Sequence, residues 1–409
     1  MRDITTRKFQ VRCPPAVPIV RDVGAKTSLE SELRRFDPER RRTVRRLVRE
    51  NSRYADLVHT FPAVLHVVAG GEDAKEDAIA LETARAAIED GAALRTVART
   101  LDLPYWLRWL PPDAFRGEIP KVPGDATFTR RIATNLPKHR RWAEAWLRSV
   151  SFASEAVDES FALWVAGRPE LLNDRPPQKS LRVLAVFAWA STTIPNPDPA
   201  GLLRVRWRPG ASTSLALCAS ISWLNRIELV SRLGARPLTP WLESGTSGPF
   251  EIAALTTADQ ILAEARDMSN CIDQYGRQLA RSDTQLYAVR ARGKSVATLE
   301  ICPHARERGM LAISQLKGVR NEPAGEDVWR ASLGWLSGQP DLKVRPTRAQ
   351  TRLVEFDQDV WMSVFGAYFK EHPDATWWPR RGNRVMVEIL RDELRRLARN
   401  ANVFSWLFR

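Results

Sequence analysis

The stretch Thr284–Leu316, TQLYAVRARGKSVATLEICPHARERGMLAISQL, decides how the chain folds. TQLYAVRA, KSVATLEI and MLAISQL are short runs rich in β-branched, aromatic and aliphatic residues, the composition of strands. Arg292-Gly293 leaves two residues between the first two runs, a hairpin connection, and CPHARERG is a longer one. The reading is a three-stranded antiparallel meander. Just upstream, TTADQILAEARDM places Thr257 and Gln260 at capping-box spacing, so a helix starts there. Downstream, GEDVWRASLGWL resumes helical periodicity. Residues 251–340 therefore read as an α+β domain of helices flanking the meander.

Plain alternation from the two-residue turn puts Tyr287, Val289, Val296, Thr298 and Glu300 on one sheet face. Leu286, Ala288, Ala297, Leu299 and Ile301 take the other, which is the better core. Glu300 then lies on a face too apolar for a solvated carboxylate and needs a partner. Gln315 follows Leu311 and Ile313 on alternate positions, so its amide is expected among packed side chains, beside Lys317, Arg320 and Asn321 in KGVRNEP. Glu300, Gln315 and Asn321 read as one polar network, either around a ligand or purely structural.

DMSNCIDQYG, residues 267–276, supplies the other reactive groups. If the preceding helix continues, Asp267, Cys271 and Tyr275 share a face at i, i+4 and i+8. If Ser269 caps a new helix, Cys271 sits in its first turn, where the macrodipole favours a thiolate. The neighbouring Asp267 opposes a thiolate, and free cysteine is a frequently buried residue, so the expectation is a largely buried, weakly activated Cys271 that positions Tyr275 and the strand bearing Glu300.

These segments together resemble the PcfJ-like family, encoded on conjugative plasmids and related mobile elements. The resemblance is carried by MSNCIDQYG, LYAVR, VATLEI, ISQLKGVRNEP and a closing W…LGWL, over roughly residues 257–336. It singles out Cys271, Tyr275, Arg290, Thr298, Glu300, Gln315, Gly318 and Asn321, and implies a mobile-element setting without bringing a reaction. Family members commonly carry a histidine before the cysteine; here that position is Asn270.

Outside this domain the chain reads as mostly helical. Of its 409 residues, 1–60 form a basic arm and helix, 61–233 a helical domain broken at Gly and Pro, 234–250 a linker rich in Gly, Pro, Ser and Thr, and 341–409 a helical basic C-terminal region. Trp142, Trp146 and Trp164 sit among apolar neighbours and read as helix packing. The formal charge is +14. Arg42, Arg45, Arg46 and Arg49 recur at helical spacing, and Arg391, Arg395, Arg396 and Arg399 line a second helix, so DNA or RNA phosphate backbone is the expected partner. The terminal VFSWLFR is apolar and makes a protein partner through the C-terminal helices a further expectation.

No apolar run reaches the roughly 20 residues that cross a bilayer, the four cysteines form no close pair, and the N-terminal stretch has no apolar signal core, so a cytoplasmic location is expected. No cofactor is implied, because Walker-type phosphate loops, dinucleotide fingerprints and nucleophile elbows are missing. Cys302, His304 and Cys271 lack a fourth donor at zinc spacing, so no metal is expected either. The functional reading is a nucleic-acid-associated accessory protein of a mobile element. Its alternatives are an enzyme, nuclease-like or a transferase, built on Glu300, Cys271, Tyr275, Gln315, Asn321 and Arg290, or a non-catalytic interaction scaffold.

Overall fold

A computed structural model describes residues 28–70, 78–172, 179–196, 198, 200–234, 237–304, 306–307, 309–340, 342 and 357–400, with the side chains of 384 and 398–400 excepted. The chain divides into two compact units, Met1–Gln178 and Lys179–Arg409, so the division falls inside the stretch 61–233 read as one helical domain.

The first unit holds α1 (Leu29–Leu33), α2 (Arg41–Glu50), α3 (Ser52–Thr60), α4 (Pro62–Gly70), α5 (Ala78–Glu89), α6 (Leu94–Thr100), α7 (Ala126–Ile132), α8 (Ala143–Ala156) and α9 (Glu159–Ala166). Polar side chains set the helix starts: Asn51 caps α3, Asp125 caps α7 and Asp158 caps α9, each accepting from free first-turn amides. Trp146 packs edge-on against Trp106 at 6.1 Å, and its indole N–H donates to the Ala166 carbonyl at 3.0 Å. Trp164 stacks on Phe161. Trp146 and Trp164 fill the core, as their apolar setting indicated, whereas Trp142 is half-buried, with the Arg141 guanidinium 5.0 Å from its ring centroid.

The second unit begins with two long helices, α10 (Lys179–Thr193) and α11 (Thr213–Leu233), and continues through β1 (Gly245–Ser247), β2 (Phe250–Ala254), α12 (Ala258–Asp267), α13 (Gly276–Ala280), β3 (Gln285–Ala291), β4 (Lys294–Pro303), β5 (Leu311–Lys317), α14 (Glu326–Ser337), α15 (Gln358–Glu371) and α16 (Arg384–Asn400). The sheet is five-stranded and antiparallel, in the order β1-β2-β3-β4-β5, which corrects the three-stranded expectation. β1 and the start of β2 lie in the stretch read as a linker. Gly248, at φ +59°, lets the chain reverse between Ser247 and Phe250, so what looked like loop composition is a hairpin turn.

Two bulges overturn the expected face assignment. Val289 pairs with Ala297 while Arg290 pairs with Ser295, leaving Val296 as an extra residue. Beyond it the alternation of β4 is reversed: Tyr287 and Val289 share a face with Ala297, Leu299 and Ile301, and Glu300 joins Leu286, Ala288 and Thr298 on the other. The first face packs on α14, with Phe250, Ile252 and Trp335 in the same core. A second bulge omits Ser314 from the pairing, so Glu300 faces Gln315 while Ile301 faces Ile313. Gln315 is therefore an exposed residue of the Glu300 face, and its amide is not among packed side chains as expected.

Candidate functional site

Over the Glu300 face lies α12, whose capping box is formed as the sequence indicated, Thr257 and Gln260 each satisfying the other's end. The helix stops at Asp267, so Asp267, Cys271 and Tyr275 do not share one helical face. Ser269 takes φ +50° and caps nothing, and a single 3-10 turn, Ile272–Gln274, leads into α13. Gly276 opens α13 because its Cα nearly touches α11; a Cβ there would come within 2.8 Å of the Leu229 Cα.

This path brings Tyr275 to Glu300. The phenol donates to Glu300 Oε2 at 3.4 Å and the Thr284 hydroxyl lies 3.0 Å from Oε1. The Cys302 thiol lies 3.5 Å from the same oxygen. Asn321 Nδ2 lies 4.0 Å from Cys271 Sγ. Cys271, Tyr275, Glu300 and Asn321 are thus assembled at one place, with Thr284 and Cys302 added to the expected set. No hydrogen bond among the described residues joins Glu300 to Gln315 or Asn321, so the expected three-member network is replaced by one centred on Tyr275 and Thr284. Arg290 lies at the turn end of the sheet opposite Ser295, five residues along β4 from Glu300 and so roughly 15 Å away, outside the cluster.

Cys271 is exposed, not buried as expected. Its thiol is nevertheless pushed up, first by the protein packed around it and then by Asp273, with Asn321 pulling the other way. Burial and the Glu300 carboxylate likewise raise Tyr275, and burial leads the rise at Cys302. Near neutral pH the site offers protonated thiols and a phenol around one carboxylate, a set of donors facing an acceptor rather than a thiolate nucleophile.

The loops holding it are strained. Ser269 (φ +50°), Arg320 (φ +57°) and Asn321 (φ +61°) are all left-handed without being glycine, and the Arg320 N–H donates to the Met268 carbonyl at 2.8 Å, tying one loop to the other. Left-handed non-glycine residues cost on the order of 1–3 kcal/mol each and persist where surrounding structure enforces them.

Beneath the site lies a buried network that sequence reasoning missed. Asn270 Nδ2 donates to the Thr298 hydroxyl at 3.0 Å, which donates to Glu264 Oε1 at 3.1 Å, and Ser295 donates to Glu264 Oε2 at 2.6 Å. Burial raises Glu264. The signal was present: Glu264 stands three residues after Ile261 and four before Met268, on the buried stripe of α12. Asn270, read only as a missing histidine, is the residue that latches the Cys271 loop to β4. Asp273, also buried, pairs with Arg226 at 2.7 Å and Arg204 at 3.6 Å.

No family model matches the chain, and neither does any curated protein or solved structure. Its own geometry is what bears on function. Among the described residues no three of His, Cys, Asp and Glu are grouped to hold a metal ion, and no helix is long and apolar enough to cross a membrane.

The two arginine faces fare differently. On α2, Arg42, Arg45, Arg46 and Arg49, with Arg41, line an open concavity of about 640 Å³. Arg45 meets Glu30, and Arg46 lies 3.9 Å from Glu50. Arg42 and Arg49 are exposed and meet no carboxylate among the described residues. The α16 set does not form one outward patch. Arg391 is buried, 8% exposed, and paired with Glu228 on α11, because its position falls on the same side of the helix as Val387, Leu390 and Leu394. Arg395 lies 3.6 Å from Asp392 and Arg396 meets Glu393, while the Arg399 side chain and the terminal VFSWLFR lie outside the described residues.

Proposed function

We propose that the protein is a cytoplasmic, nucleic-acid-associated accessory protein of a mobile element, of the PcfJ-like kind, and that it holds phosphate backbone on the arginine face of α2. The observation that supports this reading is the pair Arg42 and Arg49. Both are solvent-facing cations without a carboxylate partner among the described residues, flanking two further arginines in one concavity. Guanidinium groups in this disposition contact phosphate oxygens without reading base edges. Titration of a fluorescently labelled mixed-sequence duplex, and of a labelled single strand, tests it by anisotropy at low salt. Binding with little sequence preference is expected, and absence of binding to either strand form at low salt removes the proposal.

A second reading, an enzyme centred on Glu300, is favoured by the strained loops that converge on it. In this reading Glu300 accepts a proton, while the phenol of Tyr275 and the amide of Asn321 orient the bound group. Glu300→Gln then abolishes turnover of DNA or RNA, and Cys271→Ser retains it. Intact labelled strands after incubation with the wild-type protein count against nuclease chemistry.

A further inference from the structure

The second unit carries a groove with no part in either reading. It has a volume of about 590 Å³, within the range of small-ligand sites, and opens between the start of α10, the Trp377–Trp378 segment and the first turns of α16. Its walls are apolar. Val385 is 63% and Ile389 42% exposed, side chains one helical turn apart that stand open to solvent beside the two indoles. One end is cationic, with Lys179 and Arg182 in the lining, and among the described residues neither meets a carboxylate. Among the described residues, the Nε of Arg182 and the indole nitrogen of Trp378 are donors without hydrogen-bond partners. Arg182 is half-buried and Lys179 exposed beside it; a partly desolvated guanidinium normally carries a counter-charge, and a contiguous apolar patch with a polar rim is normally a binding surface.

We propose that this groove binds a small amphipathic anion, with its apolar body along Val385, Ile389 and the two tryptophans and its anionic head at Lys179 and Arg182. The anionic head complements two cations that meet no carboxylate among the described residues. The groove's volume suits a ligand of acyl-chain size rather than a protein surface.

The test uses the full chain and displacement of anilinonaphthalene sulfonate, an aromatic anion whose fluorescence reports the occupied groove. Dodecanoate is expected to displace the dye, with dodecanol at least about tenfold weaker, the size of one charge-assisted contact. Replacing Lys179 and Arg182 by Gln should erase that difference. Ile389→Glu, at an exposed position, should weaken dodecanoate by about tenfold or more without moving the thermal midpoint, which keeps the test valid if the double variant fails to fold. Equal displacement by dodecanol, unchanged binding in Ile389→Glu, or displacement by an acidic amphipathic peptide but not by dodecanoate would overturn the proposal.

Discussion

Replacing Arg42 and Arg49 together by Ala removes the two cations on α2 that meet no carboxylate among the described residues. Both face solvent on a ten-residue helix whose buried residues are Val44 and Leu47, so the fold should change by no more than about 0.5 kcal/mol. The effect should fall on phosphate binding. If all four outward arginines each displace one counterion, log affinity falls with log salt at a slope of about −3.6, which is about 150-fold between about 50 and about 200 mM salt. With Arg45 and Arg46 alone, the slope halves to about −1.8 and the same change in salt costs only about 12-fold. Anisotropy with one labelled duplex at several salt concentrations measures both slopes. A double variant that keeps the wild-type slope would show that the α2 face is not where phosphate sits.

The remaining predictions concern what the interior tolerates. Arg391→Met removes one of the two guanidinium groups that hold buried Glu228 while Arg232 stays in place, and should cost about 1–3 kcal/mol while leaving duplex affinity unchanged; lost affinity with intact stability would reverse the assignment of Arg391 to the core. Gly276→Ala drives a methyl into the α11 backbone and should destabilise the second unit by about 1–3 kcal/mol in urea unfolding, whereas a neutral result would mean that α13 can move away freely. His66 is buried and donates from Nε2 to the Gly117 carbonyl at 2.8 Å, and burial lowers its pKa to about 4. Because the unfolded value is near 6.5, its contribution is fully present above that pH and is lost as pH falls from there through about 4, at most about 3 kcal/mol. Acid unfolding of a His66→Gln variant, compared with wild type across that window, should show a shallower dependence, and identical profiles would refute the linkage.

The capping box at Thr257 and Gln260 and the Arg292-Gly293 turn were legible because each depends on local spacing, whereas the meetings of Tyr275 with Glu300 and of Asn321 with Cys271 join residues 25 and 50 apart in the chain and are set by the fold of the whole domain. β1 was hidden because three residues next to Gly and Pro carry no strand periodicity, and only pairing with Phe250–Ile252 makes it a strand. The faces of β4 were misread because a bulge has no compositional mark at Val296: the residue is as β-branched as its neighbours, and only the pairing with β3 reveals it as surplus. Glu264 and Arg391 were missed for a common reason. A charged side chain on a helix reads as solvated until a partner from a distant segment is found, and their partners lie on β4 and α11.

The surplus residue at Val296 gives this strand slack in length. Loss of its single in-frame codon would leave Arg290 opposite Ser295 and Val289 opposite Ala297, so Glu300 would keep its face and its cluster while the local kink disappears. An added residue between Ala297 and Glu300 meets no such slack: it would turn Glu300 toward Trp335 and take the carboxylate out of its cluster into the apolar core. Among inherited changes in this strand, a gained triplet should therefore be far more damaging than a lost one.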